Sequence, residues 1–118
     1  MKYLIIFTIS VFFINLSYSQ TVSPDSVRYN DGKTIIVCGK VADTHVTTSE
    51  HKVTYINFEH AYPNQAFSVV IFDSDLPKFT YVPSEFLKDK IVCVTGKVKI
   101  YKGRPEIVVS SEEQLKVQ

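Results

Sequence analysis

The stretch from residue 91 to residue 109 restricts the fold more than any other part of the sequence. Apolar side chains occupy one parity, and polar or amphipathic ones the other: Val92, Val94, Val98, Ile100 against Thr95, Lys97, Lys99, Tyr101. A period of two is typical of a β-strand with one buried face. The pair Lys102 and Gly103 breaks the pattern, and glycine tolerates the positive φ of a tight turn. The stretch therefore predicts a β-hairpin, whose second strand is restricted by Pro105 to an edge or a bulge at its start.

Three earlier segments, at residues 34–42, 52–58 and 66–73, also have the alternation or the apolar run of strands. Gly39 lies inside the first, within a Gly-Lys-Val sequence that is repeated at Gly96 in the hairpin. Glycine inside a strand often marks a bulge or a sharp bend, as at the corner of a small barrel. The two matched glycines therefore favour a sheet that closes on itself.

Two short helices are expected. Residues 82–90 have a proline near the start, an early glutamate and late lysines, which suits the helix dipole. Before the first strand, Ser23 offers an N-cap and Pro24 a proline at the first helical position, so a short helix could run to about Tyr29. Residues 112–118 are expected to be a polar tail.

The order strand, strand, strand, helix, strand, strand predicts an all-β domain with the connectivity of the OB-fold. This is a five-stranded Greek-key barrel with its short helix between strands three and four. An open sheet packed against a helix has a similar order of elements, and only the matched glycines favour the barrel over it.

The first nineteen residues have the features of a secretory signal peptide. Lys2 gives a positive start, residues 3–16 are mostly apolar, and Ser17-Tyr18-Ser19 is a small-x-small cleavage pattern. The alternative is a membrane anchor, but the apolar run is shorter than the roughly 20 residues needed to span a bilayer. We therefore expect cleavage after residue 19 and a single OB-fold domain over residues 20–118. The domain would be periplasmic or secreted, with no membrane association after cleavage.

Cys38 and Cys93 are the two cysteines of the chain, and export would place them in an oxidising compartment. Each has the parity of the polar face of its strand. A cross-strand disulfide is therefore expected if the two strands are neighbours, and two free, half-buried thiols if they are not.

The charge balance argues against a general polyanion binder. Removal of Lys2 with the signal peptide leaves 12 of the 13 basic residues, the same number as the 12 acidic residues. Non-specific nucleic-acid binding usually relies on an excess of Lys and Arg that neutralises phosphates. A local basic face remains compatible with this balance, because exposed charges are screened from each other beyond a Debye length of about 8 Å.

The candidate binding residues lie on the wet face of the hairpin and on the exposed face of the second strand. Aromatic platforms with flanking cations suit single-stranded nucleic acid, because bases stack on the rings and cations follow the phosphates. The alternative is that these lysines only blunt a sheet edge and keep the domain soluble. The candidate set is Tyr55, Asn57, Lys97, Lys99, Tyr101, Lys102 and Arg104.

The sequence resembles small bacterial OB-fold domains described as nucleic-acid-binding. The resemblance rests on CGKV at residues 38–41, YPNQAFSVVIF at 62–72 and CVTGKVKIYKGRPEIVVSS at 93–111. Some of those domains stand alone behind a signal peptide, and others accompany secreted nucleases. The resemblance implies an OB-fold over most of the mature chain and a nucleic-acid ligand.

No motif for catalysis, a cofactor or a metal is present. The chain lacks a serine nucleophile elbow, a phosphate-cradling glycine loop and paired carboxylates, so we predict a protein that is not an enzyme and needs no cofactor. His45, His51 and His60 have no metal-ligand spacing, so no metal site is expected. Two hypotheses follow: an exported module that binds single-stranded DNA or RNA, or one that binds a secreted protein partner or a glycan.

Overall fold

The computed structural model describes residues 3–6, 8–10 and 20–118. The predicted signal peptide, residues 1–19, falls largely outside the described residues, so its cleavage stays a prediction. Within the described part of the chain, no helix has the length and apolar character needed to cross a membrane.

The described residues contain seven strands and four short helical segments. The strands are β1 (Gln20–Val22), β2 (Thr34–Val46), β3 (Val53–Phe58), β4 (Phe67–Phe72), β5 (Ile91–Tyr101), β6 (Arg104–Val108) and β7 (Leu115–Val117). One α-helix is present, α1 (Pro83–Phe86), together with 3-10 helices at Pro24–Tyr29, Asp73–Lys78 and Glu112–Gln114.

Five of the strands close into a barrel with OB-type connectivity. Hydrogen-bonded neighbours run in the order β2, β3, β4, β6, β5, and β5 pairs again with β2. The β4–β6 pairing is parallel and the other four are antiparallel. Two strands are added to these five, β1 parallel to β2 and β7 antiparallel to β5. The prediction of an all-β, OB-like barrel is confirmed, whereas the predicted count of five strands is too low by two.

The barrel has its corners where the two predicted glycines lie. The first half of β2 pairs with β5 and its second half with β3, while β5 changes partner from β2 to β6 after Lys97. Strands that change sheets in this way need bends. A β-carbon at Gly39 would lie 2.6 Å from Oε1 of Glu59, and one at Gly96 would lie 2.5 Å from Cγ2 of Ile107. A side chain at Gly96 would therefore overlap the buried Ile107, whereas one at Gly39 would require the Glu59 side chain to move.

The barrel encloses one apolar core. Of the apolar positions predicted to face inward in the hairpin, Val92, Val94 and Val98 are buried and Ile100 is partly buried. Phe58 stacks on Phe67 with ring centroids 4.3 Å apart. Leu87, just after α1, and Val27, in the first 3-10 helix, are also fully buried. The core residues include Ile35, Val37, Val41, Ile56, Val69, Ile71, Val92, Val94, Val98 and Ile107.

The predicted disulfide is present. Cys38 and Cys93 are directly opposite each other in the antiparallel β2–β5 pairing, and their sulfurs are bonded at 2.02 Å. The bond lies on the seam that closes the barrel.

Three boundary predictions were wrong. The helix expected over residues 82–90 is the four-residue α1, and β2 continues to Val46, beyond the end predicted at residue 42. The expected polar tail contains a 3-10 helix and β7, because Leu115 packs into the core with 4% exposure. Gln114 anchors the same segment, since its Nε2 donates to the Thr95 carbonyl at 3.0 Å.

Candidate functional site

A cleft of about 730 Å³ lies on the outer face of the barrel, between the end of β2 and the β5–β6 hairpin. Four regions of the chain supply its walls: the second half of β2, the strands β3 and β4, the loop before β4, and the hairpin. The lining residues are Asp43, Thr44, His45, Thr47, Tyr55, Asn57, Tyr62, Gln65, Ser68, Tyr101, Lys102, Arg104 and Glu106. OB-folds usually bind their ligands on this face, between the two corresponding loops.

A row of five polar side chains crosses the outer face of the barrel, and four of them line the cleft. Strand register sets the row, because residues paired across neighbouring strands point to the same face. Its members, taken strand by strand, are Asp43, Asn57, Ser68, Glu106 and Lys99. Five strands at a spacing of about 4.8 Å give this polar row a length of roughly 19 Å. We call these five residues the polar row.

Hydrogen bonds at Ser68 join two members of the polar row and tie the row to the loop before β4. The Ser68 hydroxyl donates to Asn57 Oδ1 at 2.7 Å, and Gln65 Nε2 donates to Ser68 Oγ at 3.3 Å. Asn57 is only 2% exposed. The sequence places this side chain correctly on the outer face, but there Ser68 and the surrounding loop cover it.

Two buried acceptors at the base of the cleft have no donor. They are Oδ1 of Asp43 and Oε1 of Gln65, neither of which has a hydrogen-bond partner among residues 20–118. The other oxygen of Asp43 accepts the backbone N–H of Tyr62 at 3.4 Å. The two buried side-chain atoms that lack a partner at the base of the cleft are thus both acceptors.

Glu106 adds a partly buried carboxyl group. Burial raises its pKa, and the opposing charges of Lys99 and Arg104 lower it in part. The neighbouring Tyr55 has a raised pKa for a related reason, because burial comes first and the charges of Glu106 and Tyr101 add to it. A carboxyl group and a phenol, both partly buried, therefore share this wall of the cleft.

Tyrosine rings and cations form the rim. Tyr62 and Tyr101 are 58% and 47% exposed. The guanidinium carbon of Arg104 lies 4.5 Å from the Tyr62 ring centroid, and Lys102 Nζ lies 5.4 Å from that of Tyr101. Both distances fall within the range of cation–π contacts. The rim is therefore aromatic and basic, with its cations held over ring faces.

The structure divides the sequence-predicted site residues into two groups. Tyr55, Asn57, Tyr101, Lys102 and Arg104 line the cleft, whereas Lys97 and Lys99 do not. Lys97 is opposite Thr34 on the barrel seam, and Lys99 is opposite Glu106. The basic surface expected from the sequence is thus smaller, and it is partly neutralised by an acidic partner.

Sequence reasoning missed most of the acceptors. Asp43 and His45 lie beyond residue 42, where the sequence predicts the end of the first strand. A register shift between Val41 and Asp43 breaks the alternation of β2 there, so Asp43 lies opposite Asn57 and His45 opposite Tyr55. In the sequence, Glu106 is a polar residue next to the apolar Ile107 in the second strand of the hairpin. Its position beside Lys99 depends on the strand register that the turn imposes. The remaining missed residues are Thr44, Thr47, Tyr62, Gln65 and Ser68.

The histidines do not form a metal site with the neighbouring acids. Across residues 20–118 and the described parts of the first ten, no group of three or more His, Cys, Asp or Glu side chains is placed to hold a metal ion. His45 lines the cleft, whereas His51 and His60 are exposed elsewhere. The expectation that the protein uses no metal stays a prediction.

Comparisons with known proteins support the fold. No protein-family model matches the chain, and no curated protein sequence matches it significantly. Among solved structures, the OBody AM1L10 bound to hen egg-white lysozyme is 20% identical with a TM-score of 0.61, over 87% of this chain and 97% of that one. RecG bound to a three-way DNA junction is 19% identical with a TM-score of 0.59, over 86% of this chain. A structure of yeast Stn1 and Ten1 is 12% identical with a TM-score of 0.57, over 87% of this chain.

The chain spans 13% of the RecG chain and 64% of the chain matched in the Stn1 and Ten1 structure. At identities of 20% and below, these similarities show a shared fold. The expected OB-fold is therefore confirmed as an OB-like barrel, and the expected link to secreted bacterial domains and nucleases stays a prediction.

Proposed function

We propose that this protein is a binding module whose cleft takes single-stranded nucleic acid. The observation that carries the proposal is the placement of three tyrosines and two cations around one cleft on the usual ligand face of an OB-like barrel. Tyr55, Tyr62 and Tyr101 offer ring faces for bases, and Lys102 and Arg104 stand at the rim for phosphates. The RecG similarity supports the proposal, since that protein of related fold was solved bound to a DNA junction.

Stacking supplies more of the proposed affinity than phosphate contacts do. Each stacked base contributes about 1–3 kcal/mol, so two or three bases give gross contributions of several kcal/mol. Two cations at the rim predict a slope of log K against log salt concentration of about −1.4 for a single strand. Between about 50 and 200 mM salt, affinity should then fall about sevenfold. This is a mild salt dependence for a nucleic-acid-binding protein.

The test is a fluorescence-anisotropy titration of oxidised residues 20–118, which hold all seven described strands, with short single-stranded DNA and RNA. The expected result is binding that weakens about sevenfold over the salt range given above. Absence of binding at the lower salt would overturn the proposal. Binding to double-stranded DNA with equal affinity would also contradict it, because paired bases cannot stack on the tyrosines.

Matched variants locate the site. Tyr101→Ala should weaken binding, whereas Tyr29→Ala, at a tyrosine that is 76% exposed outside the cleft, should not. The double change Lys102→Glu with Arg104→Glu should bring the salt slope close to zero or reverse it, and Lys88→Glu should leave it unchanged. Equal losses from Tyr29 and Tyr101 would place the ligand somewhere else.

A protein or glycan ligand is the second candidate. The observation that favours it is the cleft's charge balance, because the carboxylates of Asp43 and Glu106 equal the cations of Lys102 and Arg104 in number. Binding that ignores salt, disappears in Tyr55→Ala and survives the rim charge reversals would select this candidate. In either case we propose binding without chemical conversion of the ligand.

We further propose that the protein works outside the cytoplasm. The amino-terminal sequence has the pattern of a signal peptide, and the Cys38–Cys93 disulfide is the form expected in an oxidising compartment. Fractionation of the native host, followed by mass analysis of the amino terminus, tests this. Recovery of the protein in the cytoplasm with residue 1 intact would refute it.

A further inference from the structure

The base of the cleft differs from its rim in chemistry as well as in depth. The rim residues Lys102 and Arg104 are exposed cations, whereas Glu106, Asp43 and Gln65 at the base are partly buried and offer acceptor oxygens. Phosphates are therefore favoured at the rim and disfavoured at the base. A ligand group that enters the base must be able to donate hydrogen bonds.

The protein leaves this acceptor capacity unused. Gln65 already donates to Ser68, so its carbonyl oxygen is the part still without a partner, and Oδ1 of Asp43 is in the same position. An ionised Glu106 carboxylate has two acceptor oxygens and no donor. Oδ1 of Asp43 and Oε1 of Gln65 are buried atoms, so the partly buried Glu106 carboxylate is the acceptor that a ligand can reach, and a ligand that brings donors to it gains from the contact.

We propose that the base of the cleft selects a nucleobase whose edge carries adjacent donors, guanine above all, with Glu106 as the residue that reads it. This inference rests on the proposed nucleic-acid function. Guanine presents its N1–H and an N2–H side by side, which matches the two oxygens of one carboxylate. Cytosine and adenine present an amino group next to a ring acceptor. Thymine and uracil present one N–H between two carbonyls, and these carbonyls would face the carboxylate.

The same geometry gives the expected size of the preference. A good bidentate contact to a base edge discriminates by roughly 5- to 150-fold in affinity. The tyrosines contribute little to this selection, because every base has a π-face on which an aromatic ring can stack. Stacking thus sets the overall affinity, and the acceptor groups at the bottom of the cleft set the preference among nucleobases.

The test compares single-stranded DNAs of about nine nucleotides, within the site size of one OB-fold. All positions are thymine except the central one, which is guanine, inosine, cytosine or thymine. A single guanine cannot form a quadruplex with its neighbours, and inosine keeps N1–H but lacks the 2-amino group. We expect the affinity to be highest with a central guanine, lower with cytosine or inosine and lowest with thymine, with at least about a fivefold difference between guanine and thymine.

Glu106→Gln should reduce the difference between guanine and thymine to about twofold or less, since the amide has one acceptor and one donor in place of two acceptors. Glu85→Gln is the matched control, at an exposed glutamate outside the cleft, and should keep the full preference. The inosine comparison uses the unaltered protein, so it remains decisive even if Glu106→Gln folds poorly.

The outcomes separate this inference from the proposed function. Equal, salt-sensitive binding to all four DNAs would overturn the guanine preference and leave the nucleic-acid function standing. A preference that persists unchanged in a folded Glu106→Gln variant would overturn the role of Glu106. Binding to none of the DNAs would overturn the proposed function, and the guanine preference with it.

Discussion

Loss of the Cys38–Cys93 disulfide should destabilise the protein by about 4 kcal/mol. The bond joins residues that are 55 positions apart in sequence. In the loop-closure description, a crosslink over this separation removes about 14 cal/mol/K of entropy from the unfolded chain, which is about 4 kcal/mol at 25 °C. The perturbation is the double change Cys38→Ala with Cys93→Ala.

The magnitude should come almost entirely from the covalent link. Both cysteines are only half-buried, so replacing them with alanine removes little packing. The backbone pairing that flanks them also remains, because β2 and β5 are matched from Thr34 opposite Lys97 to Lys40 opposite Ile91. Since a domain of this size has a total stability of about 5–15 kcal/mol, the variant should still fold, with a much smaller margin.

Urea unfolding measures the effect directly. With a slope of about 1–3 kcal/mol/M, a loss of about 4 kcal/mol lowers the midpoint by roughly 1.3–4 M. The slope itself should rise, because an uncrosslinked unfolded chain exposes more surface. A reducing agent should lower the wild-type midpoint to that of the variant and leave the variant unchanged. A variant within about 1 kcal/mol of the oxidised protein would refute the loop-closure reasoning.

Three further perturbations test other parts of the fold. Gly96→Ala should cost about 1–3 kcal/mol, because the new β-carbon would overlap the fully buried Ile107; an unchanged urea midpoint would show that β5 and β6 can separate there. Hydrogen bonds from the Thr80 side chain and backbone lower the pKa of Glu112. The ionised carboxylate therefore stabilises the folded state at pH values above the ordinary glutamate pKa of about 4.5, and this stabilisation is lost as the pH falls through the lower pKa of the folded state. Glu112→Gln should therefore melt earlier than the wild type at pH 7 and equally in acid; a gap independent of pH would contradict this. Leu115→Ala should cost about 2–4 kcal/mol in thermal unfolding, and a negligible loss would mean that β7 is dispensable.

The barrel was predictable because its signals are local. Alternation along residues 91–101 identifies both faces of β5 without any knowledge of its neighbours. The glycines mark the corners because a β-carbon there would crowd a neighbouring side chain. The disulfide followed from parity in the same way. Cys38 and Cys93 face the polar side of strands that prove to be adjacent.

The polar row was not predictable in the same way, because strand register creates it. Glu106 lies opposite Lys99 since the hairpin has a two-residue turn at Lys102 and Gly103, and a turn one residue longer or shorter would send it to the other face. Ser68 comes next to Glu106 only through the parallel β4–β6 pairing, which joins strands about 40 residues apart in sequence. No pattern within one segment contains that information.

The carboxyl-terminal strand was missed for a different reason. Residues 115–117 are too few to show a period of two, and one buried leucine among polar neighbours is the ordinary appearance of a tail. The structure shows what holds the segment: Leu115 fills a core position, and Gln114 binds backbone groups on both sides of it.

The separation of charge within the cleft explains how a protein with almost no net charge could still hold a polyanion. Its two cations, Lys102 and Arg104, lie at the exposed rim, and its two carboxylates, Asp43 and Glu106, are partly buried. With only two cations to contact phosphates, affinity should change by less than tenfold over ordinary salt concentrations. Stacking on three rings contributes several kcal/mol at every salt concentration. Raising the salt concentration should therefore weaken the binding of all single strands by a similar factor and leave the preference among nucleobases unchanged. A preference that disappears with rising salt would mean that phosphates, and not base edges, carry the recognition.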